Sequence, residues 1–180
     1  MIEATQHKLR EARFFFQRLD DERRQHSDGP EAFQFYLSAF INCARSIPWA
    51  LQAEERKKYD LWLEVWESSL DDDDRKLLKI TNDLRIKEKL GGADLIVALE
   101  PIAIAERLAA DFKLHRWIET YGRNSSKLVI PAGEAKRPTH YLETKDGESE
   151  VTGICKKYLD YMERFVSEFI QAHPQTDAGD

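Results

Sequence analysis

Phe33-Gln34-Phe35-Tyr36-Leu37-Ser38-Ala39-Phe40-Ile41-Asn42-Cys43-Ala44-Arg45-Ser46-Ile47 is the stretch on which the fold turns. It is apolar nearly all round, the pattern of a helix contacted on several sides, and predicts a central helix over about 31–51. Pro48 cannot donate to the helical ladder and disfavours helical geometry at Ile47, so a kink or break is expected there. Before it, Thr5, Leu9, Ala12, Phe16 and Leu19 recur in steps of four and three and predict a first long helix from Glu3 to Arg24. That helix should end before Ser27-Asp28-Gly29-Pro30, where Asp28 or Ser27 can cap the next one. After it, Tyr59, Trp62, Trp66 and Leu70 form a third stripe at helical spacing. A fourth helix opens on the acidic run Asp71 to Asp74 and stops at Gly91-Gly92.

The remainder has a different texture. Leu95-Ile96-Val97-Ala98-Leu99 reads as a buried strand, and the Ala-rich continuation through Trp117 as helix. Leu128-Val129-Ile130 and Tyr141-Leu142-Glu143-Thr144 are β-rich islands set apart by Pro131, Gly133 and Pro138, and predict two short strands. Asp146-Gly147 marks a turn. Ile154, Tyr158, Tyr161 or Met162, Phe165 and Phe169 then give a closing amphipathic helix, with a disordered tail at 174–180. The expected fold is mainly α: one domain over 1–173, an up-and-down bundle of four to five helices with a small β-strand or hairpin insertion, at about 93–145, before the C-terminal helix.

A chain of 180 residues suffices for one domain with its own core. No apolar run approaches the ~18 residues of a membrane span, and Met1-Ile2-Glu3-Ala4 has neither a basic start nor an apolar signal core, so a cytoplasmic protein is expected. Cys43 and Cys155 are the only cysteines, and their apolar helical settings predict two reduced, packed thiols. The net charge of −6 argues against non-specific nucleic-acid binding, and no DNA partner is expected. The charge is uneven, however: residues 50–74 sum to −6, and residues 75–92, with Arg75, Lys76, Lys79, Arg85, Lys87 and Lys89, to +4. Such a basic stretch is either a contact for RNA or a solvated helix face.

Several chemistries are unsupported by motif. There is no phosphate-binding glycine loop with its lysine, no Gly-x-Ser-x-Gly elbow, no His-Glu-x-x-His helix and no Cys-x-x-Cys pair. His7, His26, His115, His140 and His173 are scattered and read as solvated bystanders. The Asp71–Asp74 run reads as a helix start, since four contiguous acids on a helix cannot all face one ion. No metal or cofactor is expected. Arg45 is the one cation in the most apolar helix; it calls for an acid inside the bundle, or else it lines a ligand or subunit interface with Asn42 and Ser46.

The run from Phe35 to Ser46, with Trp49-x-Leu51-Gln52 after it, resembles the second helix of bacterial HEPN-like proteins. Tyr59-x-x-Trp62-x-x-x-Trp66, then Asn82-Asp83-Leu84-Arg85, sit where that family places its third helix and the start of its arginine motif, and Tyr141 to Tyr161 resembles its aromatic strand, turn and closing helix. The resemblance covers about two-thirds of the chain. It implies a homodimer through the second to fourth helices. In active members it also implies a metal-independent ribonuclease, whose arginine is followed after four to six residues by a histidine. That spacing puts a general base for the ribose 2′-hydroxyl beside a cation for the phosphorane.

Arg85 occupies the arginine position, but Ile86-Lys87-Glu88-Lys89-Leu90-Gly91-Gly92 follows it without a histidine. Lys87 or Lys89 could stabilise negative charge but, titrating near ~10.4, would not replace the base. The expected function is a non-catalytic HEPN-like interaction or RNA-contact module, in a stress, defence or toxin–antitoxin system. An active ribonuclease with another base and a purely structural helical protein are the alternatives. Lys76, Lys79, Lys87, Lys89, Arg45 and Asn42 are the candidate contacts for RNA or a protein partner, and Arg85 is the candidate catalytic cation.

Overall fold

The computed structural model describes residues 2–25, 28, 31–89, 96–101, 128–129, 136–144 and 147–174. Among the described residues there are four helices: α1 (Glu3–Gln25), α2 (Ala32–Ser69), α3 (Asp72–Lys89) and α4 (Val151–Ala172). Strands β1 (Ile96–Pro101), β2 (Leu128–Val129), β3 (Lys136–Thr144) and β4 (Gly147–Glu150) lie between α3 and α4. The protein is mainly helical, with a small antiparallel hairpin of β3 and β4 feeding directly into α4.

The stripe read in α1 is the face it buries: Thr5, Leu9, Ala12 and Leu19 are buried and Phe16 packs at the edge of the core, its ring 6.0 Å from that of Phe40. α1 runs antiparallel to the first half of α2, with Thr5 beside Glu54 at one end. It is also antiparallel to α4, through Arg13–Glu163 at 2.6 Å and Arg23–Glu150 at 3.4 Å.

The central helix departs from expectation in where it turns. α2 passes through Pro48 as helix, and the non-helical residue is Glu55, at φ −133° and ψ 41°. The reason lies in the neighbouring side chain. Glu54 accepts from Ala4 N at 2.7 Å, Thr5 N at 2.9 Å and the Thr5 hydroxyl at 2.6 Å, so its carboxylate caps the start of α1 and anchors α2 where the chain must redirect. The next helix is also entered differently from expectation: Glu31 takes the N-cap position of α2 without a side-chain bond, while Asp28 receives the Tyr36 hydroxyl.

Beyond Glu55 the helix lays Tyr59, Trp62 and Trp66 on α4. Trp66 meets Phe165 edge-on at 4.8 Å, Trp62 meets Phe165 and Phe169 at 5.2 and 5.3 Å, and the indole of Trp66 donates to Glu168 at 2.7 Å. The stripe foreseen in α4 is buried in full: Ile154, Tyr158, Tyr161, Met162, Phe165 and Phe169.

The strands form one sheet in the order β2-β1-β3-β4. β1 pairs parallel with β2 and antiparallel with β3. β3 is longer than the Tyr141–Thr144 island and includes Pro138, opposite Leu99. The pairing with β4 reaches only to Tyr141, so among the described residues no strand pairs with the other flank of β3 at Pro138, where a proline is tolerated. With β4, β3 forms the hairpin expected before the closing helix, β4 lying just past the expected bound of the insertion at about 145. Leu142 is fully buried and His140 stacks on Phe33 of α2 at 3.7 Å, which joins the sheet to the bundle. The expected helix over about 100–117, Asp146 of the expected turn and the tail after Pro174 lie outside the described residues, apart from the overlap of β1 with the start of that helix; Gly147 opens β4, paired with Thr144.

Candidate functional site

α3 begins as its sequence suggests. Asp71 caps it, its Oδ1 accepting from Asp74 N at 2.8 Å. The acidic first turn complements the helix dipole, and among the described residues no cluster of three or more His, Cys, Asp or Glu could hold a metal ion. Asp74 then pairs with Arg164 of α4. Burial opposes the charge on Arg164, but the bond and field of Asp74 hold its affinity for the proton above the ordinary value. The same guanidinium lies 5.4 Å from the centre of the Tyr161 ring. Burial first, and then the charge of Asp74, push the Tyr161 phenol far above its usual range, so it remains a hydroxyl donor at any ordinary pH.

The Asp74–Arg164 pair lines a groove of about 770 Å³ between α3 and α4, to which Ser149 and Glu150 of β4 also contribute. Its lining mixes the apolar and aromatic side chains of Leu77, Ile80, Ile154 and Tyr161 with the charged ones of Asp73, Lys76, Lys157 and Asp160. A glycine, Gly153, lines it on α4, and a Cβ there would meet nothing within 4 Å. Three cations line the groove against four carboxylates (Asp73, Asp74, Glu150, Asp160), so it carries no positive excess for a polyanion.

Of the residues singled out from sequence, only Lys76 lines this groove. Lys79 is exposed on α3, and Lys87 and Lys89 fall in its last turn. Arg85 is half-buried and outside the groove, and its Nε is buried without a hydrogen-bond acceptor among the described residues. Arg45 does not find the acid expected for it: among the described residues no carboxylate pairs with it. It remains half-buried and acts on Tyr158 of α4, whose hydroxyl burial pushes up to about 12 against the opposing field of Arg45. Asn42 is exposed, its carbonyl accepting from the Ser46 hydroxyl at 2.7 Å.

The histidines divide. His7 is exposed beside Glu11 at 3.1 Å, as expected of a bystander, whereas His140 is buried against Phe33. The His173 ring lies 3.0 Å from the Phe169 carbonyl at the end of α4. Both cysteines are free. Burial raises both thiols, that of Cys155 most, and disfavours the nucleophilic thiolate.

Sequence reasoning missed Gly153, Lys157, Tyr161 and Arg164 as site residues. The signal was present in the charged edge of α4, Lys156-Lys157-x-x-Asp160-x-x-x-Arg164. It could be assigned to a groove only once α3 was known to lie alongside. Comparison with protein-family models, with curated proteins and with solved structures found no match to this chain.

Proposed function

We propose that this chain is a non-catalytic, HEPN-like interaction module that receives a helical segment of a protein partner in the groove between α3 and α4. The observation that carries the reading is the groove's make-up: apolar and aromatic side chains lining it together with charges of both signs. An amphipathic helix offers the matching surface, apolar on one side and charged on both flanks. A phosphate chain would meet Asp73, Glu150 and Asp160 along with the cations. Arg85, the residue in the family's arginine position, lies outside the groove and has no histidine in the following turn.

The test uses Gly153→Trp, which fills the groove from a position where the added side chain meets open space. A photo-crosslinking residue at Lys157, carried in the cell by the otherwise unchanged chain, should join it to a protein. That adduct should disappear when Gly153→Trp is added and survive Arg85→Ala. An adduct indifferent to the filled groove refutes the site. Two further measurements address RNA. Anisotropy of a labelled oligouridine should show no salt-dependent binding. Steep salt dependence, weakened by neutralising Lys76, Lys79 and Lys87, would replace this reading with RNA contact. Cleavage of RNA in EDTA that Arg85→Ala abolishes would restore the ribonuclease.

A further inference from the structure

The lysine and arginine side chains of α1 divide into two sets. Lys8 pairs with Glu11 at 2.7 Å, Arg13 with Glu163 of α4 at 2.6 Å and Arg23 with Glu150 at 3.4 Å, while Arg24 closes on Asp20. Arg10 and Arg18 are exposed, and among the described residues neither pairs with a carboxylate. They stand four residues before and four after Phe14, whose ring is 51% exposed. Four residues advance a helix by little more than one turn, so the three side chains form one ridge about 12 Å long. The ridge lies opposite the buried stripe of Leu9, Ala12 and Leu19.

Its parts are already assembled. The Arg18 guanidinium lies 5.3 Å from the centre of the Phe14 ring. Stacking there occupies the flat face of the guanidinium and leaves its N–H fork at the edge, the geometry that takes a carboxylate by two parallel bonds. Gln17, also exposed, adds an amide on the same side of the helix.

We propose that this ridge docks an acidic helix of a protein partner, which lays carboxylate, apolar and carboxylate side chains at four-residue spacing against Arg10, Phe14 and Arg18. Both helices then present ridges of the same pitch, the commonest way in which two helices pack. Arginine and aromatic side chains are also the groups in which protein interfaces concentrate their binding energy. The rest of the face selects a protein segment over a longer polyanion. Glu3 stands seven residues before Arg10 and Asp21 three after Arg18, each on the same side of α1, so a chain of phosphates running along the ridge meets a carboxylate at either end. A helix can set its two acids opposite the arginines and nothing charged beyond them. α1 contributes no described residue to the α3–α4 groove, so this surface and that one stand or fall separately.

The probe is a fluorescently labelled helical peptide with Glu, Leu and Glu at successive four-residue steps in a background of alanine and glutamine, titrated with the full chain and read by anisotropy. Saturable binding is expected, weakened roughly tenfold each by Arg10→Gln, Arg18→Gln and Phe14→Ser. Arg24→Gln, which removes an exposed cation already paired with Asp20, should leave it unchanged. Circular dichroism of these variants should match wild type, since all four side chains are exposed. An isomeric peptide with its two Glu residues adjacent should bind roughly tenfold more weakly, because one arginine is then left unmatched. The proposal is overturned if the first peptide does not bind saturably, if its binding tolerates both glutamine variants, or if it binds no better than its isomer. Binding of a labelled oligouridine that Arg10→Gln and Arg18→Gln abolish would overturn it in favour of nucleic acid on the ridge.

Discussion

Replacing Glu54 by Ala tests whether the turn in α2 is held by the start of α1. The carboxylate makes three bonds there, to Ala4 N, Thr5 N and the Thr5 hydroxyl, and Thr5 is fully buried. A lost N-terminal cap costs about 1 kcal/mol, and a buried hydroxyl left without its acceptor about 1–3 kcal/mol more. The expected loss is thus about 2–4 kcal/mol, or a midpoint shift of roughly 1–2 M in urea at a slope of ~2 kcal/mol per M. Equilibrium unfolding followed by circular dichroism measures it. Thr5→Val should cost less than Glu54→Ala, and the double variant less than the sum, because the two share one bond. Burial alone would raise the Glu54 carboxyl, but the bonds from Thr5 and Ala4 outweigh it and hold it below the usual carboxylate range. A depressed folded value means that the stabilisation is complete above the unfolded value and is lost as pH falls through the folded one. Wild type should therefore lose stability in that acid window more steeply than Glu54→Gln. A Glu54→Ala loss under about 0.5 kcal/mol, or identical acid slopes, would refute the capping account.

Asp71→Ala removes the side-chain acceptor for Asp74 N and should cost about 1 kcal/mol, read as a lowered urea midpoint. Asp71→Asn, which keeps an acceptor, should cost much less. Trp66→Phe removes the indole bond to Glu168 and part of the edge contact with Phe165, and should cost about 1–2 kcal/mol by the same measurement.

What was legible in the chain was periodicity. The stripes of α1, of the second half of α2 and of α4 could be read residue by residue, because burial on one face of a helix imposes a spacing that survives without knowledge of its neighbours. The turn of α2 could not be read that way. Pro48 carried the local signal for a break, yet a helix packed on one face tolerates the lost bond, and the chain redirects at Glu55 because its neighbour reaches α1 some fifty residues earlier. The surroundings of Arg45 and His140 were illegible for a related reason. Type alone suggested an acid inside the bundle or an interface for one and solvent for the other; among the described residues the fold brings Arg45 within the electrostatic reach of Tyr158 and a phenylalanine ring against His140. The groove is the extreme case, since Asp74 and Arg164 are ninety residues apart and meet only in the fold.

Charge shows the same limit more sharply. Summed along the chain, residues 75–92 carry +4 and invite a reading as an RNA contact. A helix, however, presents its residues by angle rather than by order, at about 100° per step. Asp72 and Lys76, then Lys79, Asp83 and Lys87, stand four residues apart and so share a side of α3, acid next to base, within about one quarter of its circumference. The acids of the α3 start and of α4 interleave the cations of the groove in the same way. A surface built like this gains little from a uniform field of phosphates. If the proposed helix docks there, discrimination by pattern is expected, rewarding a helix whose own charges alternate in register and penalising one whose charges are shifted by a turn.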